Sequence, residues 1–169
     1  FVIEEEWFCA EADVQTAGQM TANQQGNVRF LDTTAPASCP DRVCGNGVIE
    51  IGSIHYSDAL KRTPATTEAM YLLMRYVFGD LGYRRYEWKC NSFNAPSRRT
   101  ALRLGFRFEG VFRNHMVVKG HNRDTAWFSI LDNEWPALKT AYEKWLAPEN
   151  FDRDGRQRMS LSDMIAAAR

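Results

Sequence analysis

The chain has 169 residues, of which 44% are hydrophobic and 25% charged, and this suits one soluble domain with a buried core of its own. Lys plus Arg and Asp plus Glu each number 21, so the formal charge is zero, which argues against a general nucleic-acid or anionic-membrane binder. No apolar run approaches the roughly 20 residues of a spanning helix, and no basic-then-hydrophobic leader opens the sequence, so a cytoplasmic location is the expectation.

Residues 1–45 are rich in Gln, Asn, Thr and Ala and are broken by Pro36 and Pro40. Strands are expected at residues 17–22 and 27–31, with a loop over 32–46. Cys39 and Cys44 fall in that loop with four residues between them, and no second pair at zinc-ligand spacing accompanies them. With Cys9 and Cys90 they read as free thiols; a Cys39–Cys44 disulfide or metal clip is the alternative, and no metal is expected.

Beyond residue 45 the pattern becomes regular. Val48, Ile49, Ile51, Ile54 and Tyr56 predict a strand over 48–56. Ala69, Leu72, Leu73, Tyr76 and Val77 recur at helical spacing, which predicts a helix over 66–79. A strand follows at 86–90. Residues 106–118 and 125–131 read as antiparallel strands joined by the polar turn Lys119-Gly120-His121-Asn122. Helices are expected at 134–146 and 160–168. Strand–helix–strand order favours parallel pairing through a right-handed crossover, hence an α/β fold.

The segment NSFNAPSRRTALRLGFRFEGVFR, residues 91–113, is the most specific. Asn94 can cap a helix whose first turn accommodates Pro96, and Ala101 and Leu104 give that helix an inner face. Gly105 suits a left-handed stop, and Phe106 and Phe108 alternate into a strand. The pattern N-x-x-S-x-x-x-A-x-x-L-G-F-x-x-E-G resembles the coenzyme-A side of the GNAT acetyltransferases, most closely the Rim-type branch that modifies protein N-termini and small amines. The resemblance covers roughly residues 45–146. It implies a GNAT fold, a mixed central sheet flanked by helices, in a single domain. Residues 1–45 would form an atypical front part, 45–146 the acetyl-CoA-binding region, and 147–169 a C-terminal tail.

A second feature is the stretch Leu60-Lys61-Arg62-Thr63-Pro64-Ala65-Thr66-Thr67-Glu68-Ala69. In the family a Q/R-x-x-G-x-G/A loop enters a helix here, and its amides hold the pyrophosphate of acetyl-CoA. Such chemistry needs unpaired N–H groups at a helix N-terminus, where the dipole favours an anion. The resemblance places Lys61, Arg62, Thr63, Ala65, Thr66 and Thr67 on the cofactor, with Pro64 replacing the first Gly and removing one donor. A plain helix start with Thr63 as cap is the alternative. The strand over Ile51 and Ser53 would receive the pantetheine arm by edge hydrogen bonds, and Gly52 is compatible with a bulge.

Transfer of acetyl from a thioester to an amine needs a neutral amine, a donor to the carbonyl and a proton for the thiolate. By resemblance Asn94 contacts the coenzyme arm and Ser97 lies near the sulfur as proton donor; many family members carry a Tyr in this region, and residues 91–113 contain none. Glu50, His55 and Glu109 are candidate bases, with alternation putting Glu50 and His55 on opposite faces. Arg98, Arg99 and Arg103 read as a solvated face, with the coenzyme 3′-phosphate as the alternative. The expected function is acetyl-CoA-dependent N-acetylation of a primary amine by a homodimer. The alternative is a GNAT-fold module with little turnover that binds acyl-CoA or serves assembly; an RNA- or ribosome-associated role has only the arginines behind it.

Overall fold

The structure, a computed structural model, describes residues 19–22, 26–32 and 47–169. Cys9, Cys39, Cys44 and most of the expected loop over 32–46 lie outside them. The described chain runs β1 (Gln19–Ala22), β2 (Gly26–Asp32), β3 (Val48–Tyr56), α1 (Pro64–Arg75), β4 (Arg85–Asn91), α2 (Ala95–Arg103), β5 (Arg107–Val118), β6 (His121–Leu131), α3 (Trp135–Leu146) and α4 (Leu161–Ala168). The strands form one mixed sheet in the order β1-β2-β3-β4-β6-β5. Only β3 and β4 pair in parallel, as a crossover through α1 requires.

Alternation along the strands separates two faces. Tyr86, Trp88 and Cys90 of β4 pair in register with Ile130, Phe128 and Ala126 of β6, and all six belong to the core. Onto this face pack Met70, Leu73 and Met74 of α1, Ala101 of α2, Leu138 and Tyr142 of α3, and Ile165 of α4. Each large apolar side chain removed from water here contributes about 1.5–3 kcal/mol. The other face carries Glu50, Arg85, Glu87, Lys89 and Ser129. No helix among the described residues is long and apolar enough to cross a membrane.

The end of α2 explains its own sequence. Gly105 N–H donates to Leu102 O at 3.1 Å and Phe106 N–H to Ala101 O at 3.0 Å, the paired bonds of a Schellman stop. Gly105 sits at φ +93, which a side chain rarely adopts, and a Cβ there would stand 2.9 Å from Leu138 Cδ2.

Several boundaries move relative to the sequence expectation, and three have a local cause. The helical pattern over 66–79 begins earlier, because Pro64 enters the first turn, and its last turn widens into a π-helix at Tyr76–Asp80. The β5–β6 turn is two residues rather than four: Lys119 and Gly120 both take positive φ, 51 and 78, as a type I′ hairpin demands, so β6 starts at His121. In α4, the expected first residue Ser160 is the cap, accepting from Asp163 N–H at 3.1 Å.

Candidate active site

The β3–β4 ladder stops early. It pairs Val48 with Arg85, Ile49 with Tyr86, Glu50 with Glu87 and Ile51 with Trp88, and goes no further. Beyond it β3 stays with β2 as far as Tyr56, paired to Gly26, while β4 stays with β6 as far as Asn91, paired to Thr125. Each strand follows its outer neighbour, so the two diverge after Ile51 and Trp88. Backbone groups of β3 past Ile51, and of β4 past Trp88, thus face a gap that suits an amide-bearing chain.

A bulge sits at the mouth of this gap. On β3, Gly52 pairs with Arg29 and His55 with Asn27, so three steps along β3 match two along β2. The extra residue falls at 53–54, beside Gly52. It also corrects the expectation for the two candidate bases: Glu50, Gly52 and His55 share one register face instead of opposing faces, because the bulge resets the alternation. His55 is exposed there, whereas Glu50 is only 2% exposed.

Two helix starts approach the gap on the core side. Before α1, Leu60 and Lys61 N–H groups donate to Ser57 O, and Arg62 turns with φ +63. Thr63 N–H is spent on Leu60 O at 3.2 Å, so it does not join the expected donor set, and Pro64 has none. The N–H groups of Ala65 and Thr66 have no side-chain cap. Thr66 Oγ1 donates to Thr63 O at 2.8 Å. Thr67 is buried and its hydroxyl accepts from Arg103 Nη2 at 3.0 Å, tying α1 to α2. Lys61 pairs with Asp58 at 2.7 Å on the exposed surface.

At α2, Asn94 Oδ1 accepts from Ser97 N–H at 3.1 Å, as a cap should. Ser97 Oγ in turn accepts from the indole N–H of Trp88 at 3.0 Å. That bond sets Ser97 above the last β3–β4 pair, where the strands part. Arg98 donates to Ser92 O and stacks over Phe108, and Arg103 lies over Trp145, so these two arginines are engaged with the protein.

On the opposite face a cavity of about 350 Å³ is lined by Arg85, Glu87, Glu109, Gly110, Phe112 and Trp127. A bulge in β5 between Phe108 and Gly110 turns Glu109 toward it. Arg85 grips Glu109 through both terminal nitrogens, at 2.7 and 2.6 Å, and Glu87 through Nε at 2.7 Å. Ser129 Oγ donates to Glu109 at 2.6 Å. The Arg85 guanidinium, ahead of the Ser129 hydroxyl, holds the Glu109 carboxyl below its ordinary range, which makes Glu109 a poor base. Glu50 forms an ion pair with Lys89 at 2.6 Å, but burial outweighs that pull and its pKa is raised. At the far end of β3, burial pushes the Tyr56 phenol up to about 12.

Sequence reasoning overlooked Arg85 and Glu87. The signal was present: strand alternation places Arg85, Glu87 and Lys89 together on the non-core face of a central strand, where charges are costly without partners.

The family model described as Acetyltransferase (GNAT) domain matches residues 8–107. The chain belongs to the GNAT acetyltransferase family. The match begins at residue 8 and so takes in most of the front part that sequence reading sets apart. Among solved structures the chain resembles a GCN5-related N-acetyltransferase from Brucella melitensis, with 56% identity and a TM-score of 0.74 over 84% of this chain and 60% of that one. It is 28% identical over 92 residues to the uncharacterized N-acetyltransferase YnaD of Bacillus subtilis, covering 54% of this chain and 53% of that protein. The fold is shared with Mycobacterium smegmatis RimJ in complex with CoA-disulfide, at 21% identity and a TM-score of 0.54, over 85% of this chain and 54% of that one. The chain thus spans about half the length of that curated relative. As a GNAT domain, it has the mixed sheet and flanking helices expected of the family.

Proposed function

We propose that the protein transfers the acetyl group of acetyl-CoA to a primary amine, on a protein N-terminus or a small molecule, in the manner of the Rim-type branch. The observation that carries this reading is the ladder that ends at Ile51 and Trp88 with helix starts on one side and a carboxylate-lined cavity on the other. Acetyl-CoA enters from the core side, its pyrophosphate on the amides of Ala65 and Thr66 with Lys61 and Arg62 adding charge, and its pantetheine arm along Ile51–Ser53 and Asn94. The amine enters through the cavity. Its nitrogen attacks the thioester carbon, the C–S bond breaks, the ammonium proton passes to Glu87 or Glu50, and the thiolate takes a proton from Ser97. RimJ, which shares the fold, is described in complex with CoA-disulfide, and this supports the choice of cofactor.

The reading includes a cytoplasmic location and a homodimer. Phe108, Val111, Phe112, Val117 and Val118 are exposed on β5, the edge strand, and a second copy would cover them. Sedimentation showing a monomer at micromolar protein removes the dimer. Calorimetric titration with acetyl-CoA, followed by thiol release over a panel of amines, tests the activity; binding without release favours the second reading. That reading, an acyl-CoA-binding or assembly module with little turnover, draws on one observation: Pro64 and the occupied Thr63 N–H leave fewer donors for the pyrophosphate than a glycine-rich loop supplies.

A further inference from the structure

Ser97 differs from the other hydroxyl residues near the helix starts. Thr66 Oγ1 donates back to Thr63 O, and Thr100 Oγ1 donates back to Pro96 O at 3.0 Å. Ser97 makes no such bond: its Oγ accepts from Trp88 and, among the described residues, donates to nothing. A hydroxyl has one donor and two lone pairs, whereas an indole only donates. The Trp88 N–H therefore occupies a lone pair and leaves the Ser97 proton free. Accepting a hydrogen bond also polarises the O–H and makes it a better donor.

Trp88 is held rigidly enough for this. It is 6% exposed, meets Phe106 edge-on at 5.6 Å, and forms with Ile51 the last rung before the strands diverge. The indole N–H reaches Ser97 from the last rung before the strands diverge, and the Ser97 proton is left without a partner among the described residues. We propose that Trp88 is a positioning residue for acetyl transfer: its N–H sets the Ser97 hydroxyl so that the Ser97 proton is delivered to the departing coenzyme sulfur. As the C–S bond breaks, sulfur takes the proton from Oγ, water reprotonates Ser97, and the hydroxide this leaves is neutralised by the proton that the amine released to the carboxylate, so charge and protons balance. The inference rests on the acetyl-transfer reading above.

The test is a double-mutant cycle on the full chain with acetyl-CoA and a reactive amine from the panel. Trp88→Phe keeps the ring and removes the N–H; kcat should fall about 3- to 10-fold, the worth of one ordinary hydrogen bond, while the KM for acetyl-CoA stays nearly constant. In a Ser97→Ala background the same change should have no further effect, since Trp88 acts only through Ser97. Independent, multiplying effects overturn the inference, as does a rise in KM with kcat unchanged. The bond itself is read by NMR without turnover: in Ser97→Ala the Trp88 indole N–H should shift and exchange faster, and an unmoved signal overturns the inference even if Trp88→Phe does not fold. Wild-type protein that releases no thiol with any amine sinks the acetyl-transfer reading and this inference with it; additivity with an active wild type sinks this inference alone.

Discussion

Glu50 and Glu87 stand opposite each other on the penultimate rung of the parallel ladder, and their charges are answered from different directions. Lys89, two residues past Glu87, reaches back to Glu50, whereas Arg85, two residues before, takes Glu87. Two buried carboxylates side by side repel, and each needs its own cation.

Burial is the largest influence on Glu50 and lifts its pKa above the ordinary 4.5. A folded-state value above the unfolded one means the stabilising contribution is full below the unfolded pKa and fades as pH rises through the folded one. Glu50→Gln should therefore gain stability relative to wild type between about pH 4 and about pH 7. Thermal melts of both proteins across that range check the sign; a difference that is constant or runs the other way contradicts it.

Gly105→Ala should be strongly destabilising. The new Cβ meets Leu138 at 2.9 Å, and the backbone at φ +93 is strained for any side chain. Together these cost about 2–4 kcal/mol, read as a lower midpoint in denaturant with an unchanged slope.

Asn94→Ala removes the cap from Ser97 N–H and should cost about 1 kcal/mol. Asn94→Ser restores a side-chain acceptor and should recover most of that loss in chemical denaturation. Acetyl-CoA affinity in the Ser variant separates capping from cofactor contact: an affinity that stays low while stability returns assigns Asn94 to both.

Arg62 holds φ +63, a conformation that glycine adopts without strain. Arg62→Gly should leave stability unchanged or raise it by about 1 kcal/mol. Its affinity for acetyl-CoA should fall severalfold, and the deficit should shrink in high salt, because a screened charge is what was lost. Isothermal titration at two ionic strengths reads both effects.

Local rules made the Asn94 cap, the Gly105 stop and the β3 span legible, because each depends on residues within one turn or on simple alternation. The site was less legible. Ser97 reached it through family resemblance, and its partner Trp88 is nine residues away on another element. Glu87 escaped notice because a Glu in a strand ordinarily reads as solvated, and only sheet order shows β4 to be central with β3 and β6 on either side. His55 falls on the face opposite to the one expected because alternation assumes an unbroken strand, and the bulge that Gly52 allows interrupts it at 53–54.

The two faces of β4 divide the duties of one short strand. Tyr86, Trp88 and Cys90 belong to folding, while Arg85, Glu87 and Lys89 belong to the cavity side. Odd and even positions are thus separate drafts written on the same line. If the amine enters through this cavity as proposed, a lineage, or an engineer, can rewrite acceptor preference at 85, 87, 127 and 129 while leaving the core side chains in place. The six-stranded frame would then be open to new amines at small structural risk, provided each altered charge is matched by a change in its partner.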